Sequence, residues 1–146
     1  MDNEKIIIIG LGASGIGAAK LLKAEGFCPI VLEKNRTEEL SKTAEELRQL
    51  DILVELGINF DIKNIKPWIS QCSTVIISPS IPWDNITVDE LRKKGIIVKS
   101  EISLAWEKLN HIPWIGITGT NGKSTVTEML NHVFRKNNIF TLMGGN

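Results

Sequence analysis

At 146 residues the chain has room for about one ordinary domain, and its 42% hydrophobic and 23% charged residues lie near soluble globular averages. Seventeen Lys and Arg balance seventeen Asp and Glu, so no basic field exists to hold a nucleic-acid backbone or an anionic membrane surface. Cys28 and Cys72 build no disulfide framework, uncharged Ile6–Ala19 is shorter than a membrane span of ~20 residues, and Met1–Lys5 is not a net-basic signal start, so a cytoplasmic, reducing setting is expected.

Ile6-Ile7-Ile8-Ile9 is a β-branched run stopped by Gly10, the pattern of a buried parallel strand. A helix is predicted from about Ser14 to Glu25, with Ile16, Ala19 and Leu22 on one face and Gly26 as its stop. Pro29–Leu32 reads as a second strand ending at Glu33. Thr37 is placed to cap a helix carrying Leu40, Ala44 and Leu47, with Glu38 and Glu39 at its positive end. Ile52–Val54 and Val75–Ile77 are the next expected strands, and Pro79 and Pro82 force a loop after the second. A helix near Val88–Lys94, a strand at Ile96–Val98 and a helix near Ile102–Leu109 follow. After Asn110-His111 a new unit is expected: strand Trp114–Ile117, a glycine loop, a helix Lys123–Lys136 and a short strand Ile139–Leu142. The alternation implies an α/β fold: a Rossmann-like parallel-sheet domain (1–102), then the first strand–P-loop–helix unit of an ATPase domain (103–146).

Two glycine loops carry the chemistry. Gly10-Leu11-Gly12-Ala13-Ser14-Gly15 is a GxGxxG between strand and helix, where backbone amides at a positive helix end can approach a phosphate. Glu33 ends the second strand, where such folds place an acid for a ribose or a similar polar group. A tight turn without ligand is the competing interpretation, and the motif does not say which nucleotide is held. In Gly119-Thr120-Asn121-Gly122-Lys123-Ser124-Thr125, successive amides form an anion nest, Lys123 can reach β- and γ-phosphate oxygens, and the Ser124 hydroxyl can ligate Mg²⁺. This loop departs from GxxxxGK[ST], since Ile117 stands where the first glycine belongs. After Lys123 there is no Asp and a single acid, Glu128, on the loop's own helix. A P-loop enzyme needs a further metal-positioning acid, so the chain is expected to be the front part of a longer protein.

Weaker candidates have ordinary explanations. His111 and His132 lack metal-ligand spacing. Cys28 and Cys72 fit as small core residues. Trp68, Trp83, Trp106 and Trp114 share no periodicity and are not interleaved with basic residues for base stacking.

Three stretches taken in order resemble the N-terminal portion of a Mur ligase: Ile8–Gly15, Ser78-Pro79-Ser80-Ile81-Pro82 and Gly116–Val126. The closing Gly144-Gly145-Asn146 resembles the Gly-Gly-Asn that follows the ATP loop in the D-glutamate-adding branch. Asn121 separates the chain from the L-alanine-adding branch, and less firmly from the diamino-acid-adding one. The resemblance implies an ATP- and Mg²⁺-dependent amide ligase of peptidoglycan precursor synthesis, adding D-glutamate to UDP-N-acetylmuramoyl-L-alanine through an acyl phosphate. It implies that Gly12, Ala13, Ser14, Gly15, Glu33, Lys34, Ser78, Pro79, Ser80 and Asn146 bind the UDP substrate. Gly119, Thr120, Asn121, Gly122, Lys123, Ser124 and Thr125 would bind ATP, with Lys123 catalytic and Ser124 on the metal. Ser80 and Glu33 depart from the family's usual glycine and aspartate. A monomer is expected, without nucleic-acid or membrane partners, and inactive as this fragment. The alternatives are a diamino-acid-adding Mur ligase, a nicotinamide-dependent oxidoreductase, which leaves the second loop unexplained, and a non-catalytic nucleotide-binding module.

Overall fold

Four consecutive isoleucines cannot alternate polar with apolar, so a strand built from them needs cover on both faces. In the computed structural model, which describes residues 4–144, that strand is β1 (Lys5–Ile9), the middle of a five-stranded sheet. Around it stand β2 (Cys28–Glu33), β3 (Leu53–Leu56), β4 (Cys72–Ile77) and β5 (Ile97–Ser100), in the order β3-β2-β1-β4-β5. Every pairing is parallel, with Ile7 opposite both Ile30 and Val75. The order reverses at β1, the switch point at which open α/β sheets form a crevice at their carboxyl ends.

Helices fill both layers. Ile6 and Ile8 face one core with Val31, Val54 and Ile76, covered by Ala18, Ala19 and Leu22 of α1 (Ala13–Ala24), Ala44 and Leu47 of α2 (Glu38–Arg48), and Leu104 of α5 (Glu101–Leu109). Ile7 and Ile9 face the other with Ile30, Leu32, Val75 and Ile77, under Ile65 of α3 (Ile62–Ile69) and Val88 and Leu91 of α4 (Ile86–Lys93). Thr37 caps α2 as expected, its side chain accepting from the Leu40 amide at 3.2 Å. α3 has no counterpart among the expected elements. It is short, carries Pro67 inside it and starts from an Asp61 cap that accepts from the Asn64 amide at 2.8 Å. A helix of eight residues shows only one buried position, Ile65, so its periodicity is faint in the sequence.

The chain divides into two compact units, the first running through Leu109 and the second beginning at Asn110. The first reaches past the expected 102/103 boundary because Leu104 is buried in the α1 and α2 layer. In the second unit α6 (Lys123–Lys136) forms over the expected residues. The expected strands Trp114–Ile117 and Ile139–Leu142 do not form, and among the described residues this unit has no strand. A strand exists only against a hydrogen-bonding neighbour, and the described residues of this unit offer none. For the same reason α6 buries none of its residues, leaving Val126, Met129 and Val133 45%, 62% and 54% exposed.

Candidate functional site

Because β1, β2 and β4 run parallel and adjacent, the loops that follow them emerge at one edge of the sheet. The Gly10 amide donates to the Leu32 carbonyl at 2.9 Å and the Ser78 amide to the Ile9 carbonyl at 3.2 Å, which ties all three loops together. The structure thus brings Gly12–Gly15, Glu33–Lys34 and Ser78–Ser80 to the switch-point edge. Asn146 lies outside the described residues.

The glycine loop is shaped by close contact on one side and openness on the other. A Cβ at Gly15 would lie 2.2 Å from the Gly10 carbonyl oxygen, so the α1 entry packs against the strand end as only glycine permits. A Cβ at Gly10 would meet the Ser78 Cβ at 3.3 Å. At Gly12 nothing stands within 4 Å, and Gly12, Ala13 and Ser14 are exposed. Gly12 is the α1 N-cap without a capping side chain. The first-turn amides behind it, which a helix cannot satisfy internally, are therefore available to an anion.

Glu33 holds this loop in place. Its Oε2 accepts from the Leu11 amide at 2.9 Å and its Oε1 from the Asn35 amide at 2.8 Å. A carboxylate has about four acceptor positions, so Glu33 still has capacity for a ligand hydroxyl or amide. Lys34 beside it is exposed. Beside the glycine loop the Ser78 and Ser80 hydroxyls stand 3.1 Å apart, with Pro79 exposed between them. Sequence reasoning missed Glu101. This first residue of α5 is buried under the glycine loop, its Oε1 3.4 Å from the place a Gly15 Cβ would occupy. Its one sequence signal is an acid directly after a strand, the placement already noticed at Glu33.

In the second unit, Gly122 caps α6 in the left-handed conformation at φ 78°, exposing the first-turn amides of Lys123, Ser124 and Thr125. The Lys123 ammonium folds back to donate to the carbonyl oxygens of Gly119 and Thr120. The lysine is thus held over its own loop by backbone carbonyls. Among the described residues no group of three or more His, Cys, Asp or Glu is placed to hold a metal ion, and no helix is long and apolar enough to cross a membrane. Burial pushes the Cys72 thiol up from its ordinary value, leaving it a poor nucleophile.

A family model for the N-terminal domain of MurD-like Mur ligases matches residues 4–100, the sheet that builds the first site. The chain belongs to the MurD-like Mur ligase family. Among Mur ligase relatives, the UDP-N-acetylmuramoylalanine–D-glutamate ligase of Parasynechococcus marenigrum (strain WH8102) is 47% identical over 140 residues, 96% of this chain. The enzyme of the same name from Prochlorococcus marinus (strain NATL2A) is 49% identical over 146 residues, 99% of this chain. The chain spans about 30% of the length of these relatives, 30% of the first and 31% of the second. A solved Mur ligase structure, the UDP-N-acetylmuramate:L-alanyl-gamma-D-glutamyl-meso-diaminopimelate ligase from Neisseria meningitides, is similar at TM-score 0.59 and 24% identity. It covers 92% of this chain and 40% of its own, and supports the Rossmann-like fold.

Proposed function

We propose that this chain is the UDP-substrate-binding portion, with the start of the ATP-binding portion, of a ligase that adds D-glutamate to UDP-N-acetylmuramoyl-L-alanine. The observation that carries the proposal is the convergence of three loops on the open Gly12 edge of the sheet, in a chain whose relatives at 47% and 49% identity bear that ligase name. In this proposal the exposed amides of the α1 first turn take the diphosphate. Gly12 and Gly15 let it approach, and Ala13 and Ser14 flank it. Glu33 and Lys34 meet the uracil end, Ser78, Pro79 and Ser80 close the opposite wall, and Asn146 contacts the substrate.

The second loop takes ATP in the same proposal. Gly119, Thr120, Asn121 and Gly122 supply backbone, and Lys123, Ser124 and Thr125 open the helix. The exposed first turn of α6 and the lysine held over the loop fit a polyphosphate. Lys123 leaves its loop carbonyls to hold phosphate oxygens and offset charge as the γ-phosphoryl group moves to the alanyl carboxylate. Ser124 is the residue that would hold Mg²⁺, which would supply positive charge to neutralise the phosphates there. D-glutamate then displaces phosphate to form the amide. The whole reaction belongs to the longer protein, in the cytoplasm and as a monomer, and this chain by itself binds without turnover.

Two measurements test this. Adding UDP to the 146-residue chain should move amide resonances at Gly10–Gly15, Glu33–Lys34 and Ser78–Ser80, and shifts elsewhere or none at millimolar UDP would sink the site. In the full-length ligase, Lys123→Ala should lower phosphate release by about 10²–10³, as for loss of one preorganised charge-stabilising group, while UDP-substrate binding stays. Near-normal turnover in the folded variant would remove this loop from the mechanism.

A further inference from the structure

Two glutamates stand at the glycine loop, and they are held differently. Glu33 has an amide on each carboxylate oxygen, at 2.9 and 2.8 Å. Glu101 is 8% exposed, and its Oε2 is sealed from solvent without a hydrogen-bond partner among the described residues. A buried carboxylate left part-satisfied costs stability, so a purely architectural acid here should be bonded as Glu33 is. Glu101 starts α5 directly after β5, on the same strand-end edge as the glycine loop. Its Oε1 is 3.4 Å from the Cβ position of Gly15, which places negative charge behind the α1 turn that offers its amides to an anion.

We propose that Glu101 sets the charge tolerance of the glycine-loop site. Its carboxylate partly offsets the positive end of α1 from behind. It thereby holds the affinity for a diphosphate below what the loop amides alone would give, while leaving the uncharged part of a nucleotide unaffected. Repulsion at this depth is poorly screened because protein rather than water fills the space between. Unfavourable burial is what a protein tolerates at a functional position and removes elsewhere. A nucleotide site relieved of this charge would hold substrate and product alike more tightly and release both more slowly.

This rests on the nucleotide assignment above, and the test separates the two. The probes are UDP and uridine, titrated calorimetrically into the 146-residue chain and its Glu101→Gln and Glu101→Met variants. Both variants should bind UDP roughly tenfold more tightly, the order expected on removing one nearby unit charge, with uridine unchanged. Weaker or equal UDP binding in the folded variants, or an equal gain for uridine, overturns the charge role and leaves the nucleotide site standing. The wild-type chain supplies a readout that needs no variant to fold. Its Glu101 carboxyl carbon resonance should move on adding UDP and stay on adding uridine, and a resonance unmoved at saturating UDP counts against the proposal. If the wild-type chain binds neither probe, the nucleotide assignment itself falls, and this inference with it.

Discussion

The molecule contains the same local arrangement twice, a glycine loop opening a helix, in very different company. In the first unit the strand before the loop lies between two neighbours, and α1 after it buries Gly15, Ala18, Ala19 and Leu22. In the second unit no strand precedes the loop among the described residues, and α6 buries none of its residues. Capping glycine and helical periodicity are properties of a few adjacent residues, so both helices form. A strand is a property of its partners, so among the described residues only the first unit has strands.

The largest expected effect sits where the first unit is tightest. Gly15→Ala places a methyl group 2.2 Å from a backbone oxygen that cannot rotate away. The cost should reach about 3 kcal/mol, the upper end for overpacking, read as a lowered denaturant midpoint. Gly12→Ala, with nothing within 4 Å of the added carbon, should cost under about 1 kcal/mol yet weaken UDP binding by crowding the open amides. Equal destabilisation by the two would dissolve the distinction between a packed and an open side of the loop.

Next comes the contrast between the units themselves. Amides of β1 and β4 should exchange with solvent at least about a hundredfold more slowly than those of α6, since protection follows burial. Hydrogen exchange followed by NMR on the whole chain reads both at once. Comparable protection would show α6 to be held as firmly as the sheet.

A smaller effect belongs to Glu33. Glu33→Gln keeps the shape but leaves one acceptor oxygen for two amides, so the loop should lose about 1–2 kcal/mol. The Leu11 and Asn35 amide resonances should shift in the free protein, and unchanged resonances would mean that these bonds do not hold the loop.

The first unit was largely legible from its residues. Ile6–Ile9 announces two-sided burial, Thr37 announces a cap, and Gly10–Gly15 announces a strand-to-helix phosphate turn, each through contacts local in sequence. Glu101 was not, because its burial depends on α5 packing across to α1, and no spacing in the chain encodes that meeting. α3 was hidden for a related reason: one buried isoleucine and an internal proline look like loop until Asp61 is seen capping it. The strand expected at Trp114–Ile117 shows the opposite error, since an apolar run states what a segment would pair with and cannot supply the neighbour.

The smallest expected effect tests whether burial in the sheet extends to the start of β4. Desolvation raises the Cys72 thiol above its ordinary 9.0, against opposing hydrogen bonds to the backbone of Ile7 and Thr74 and with a minor push from Glu4. The thiol points at the Thr74 carbonyl, 2.8 Å away. A folded value above the unfolded one means the native chain keeps a proton that the unfolded chain releases. The associated stability is therefore fully present below pH 9.0 and is lost as pH rises through the folded value. Lysines and other groups titrate in the same range, so the comparison must be a difference: unfolding free energy at pH 7.5 and pH 10.5 for the wild type and for Cys72→Ser, which has no thiol to titrate. The wild type should lose more over that interval than the variant. Parallel losses would show that the β4 start is wet, and that the dry sheet begins further along, at Val75.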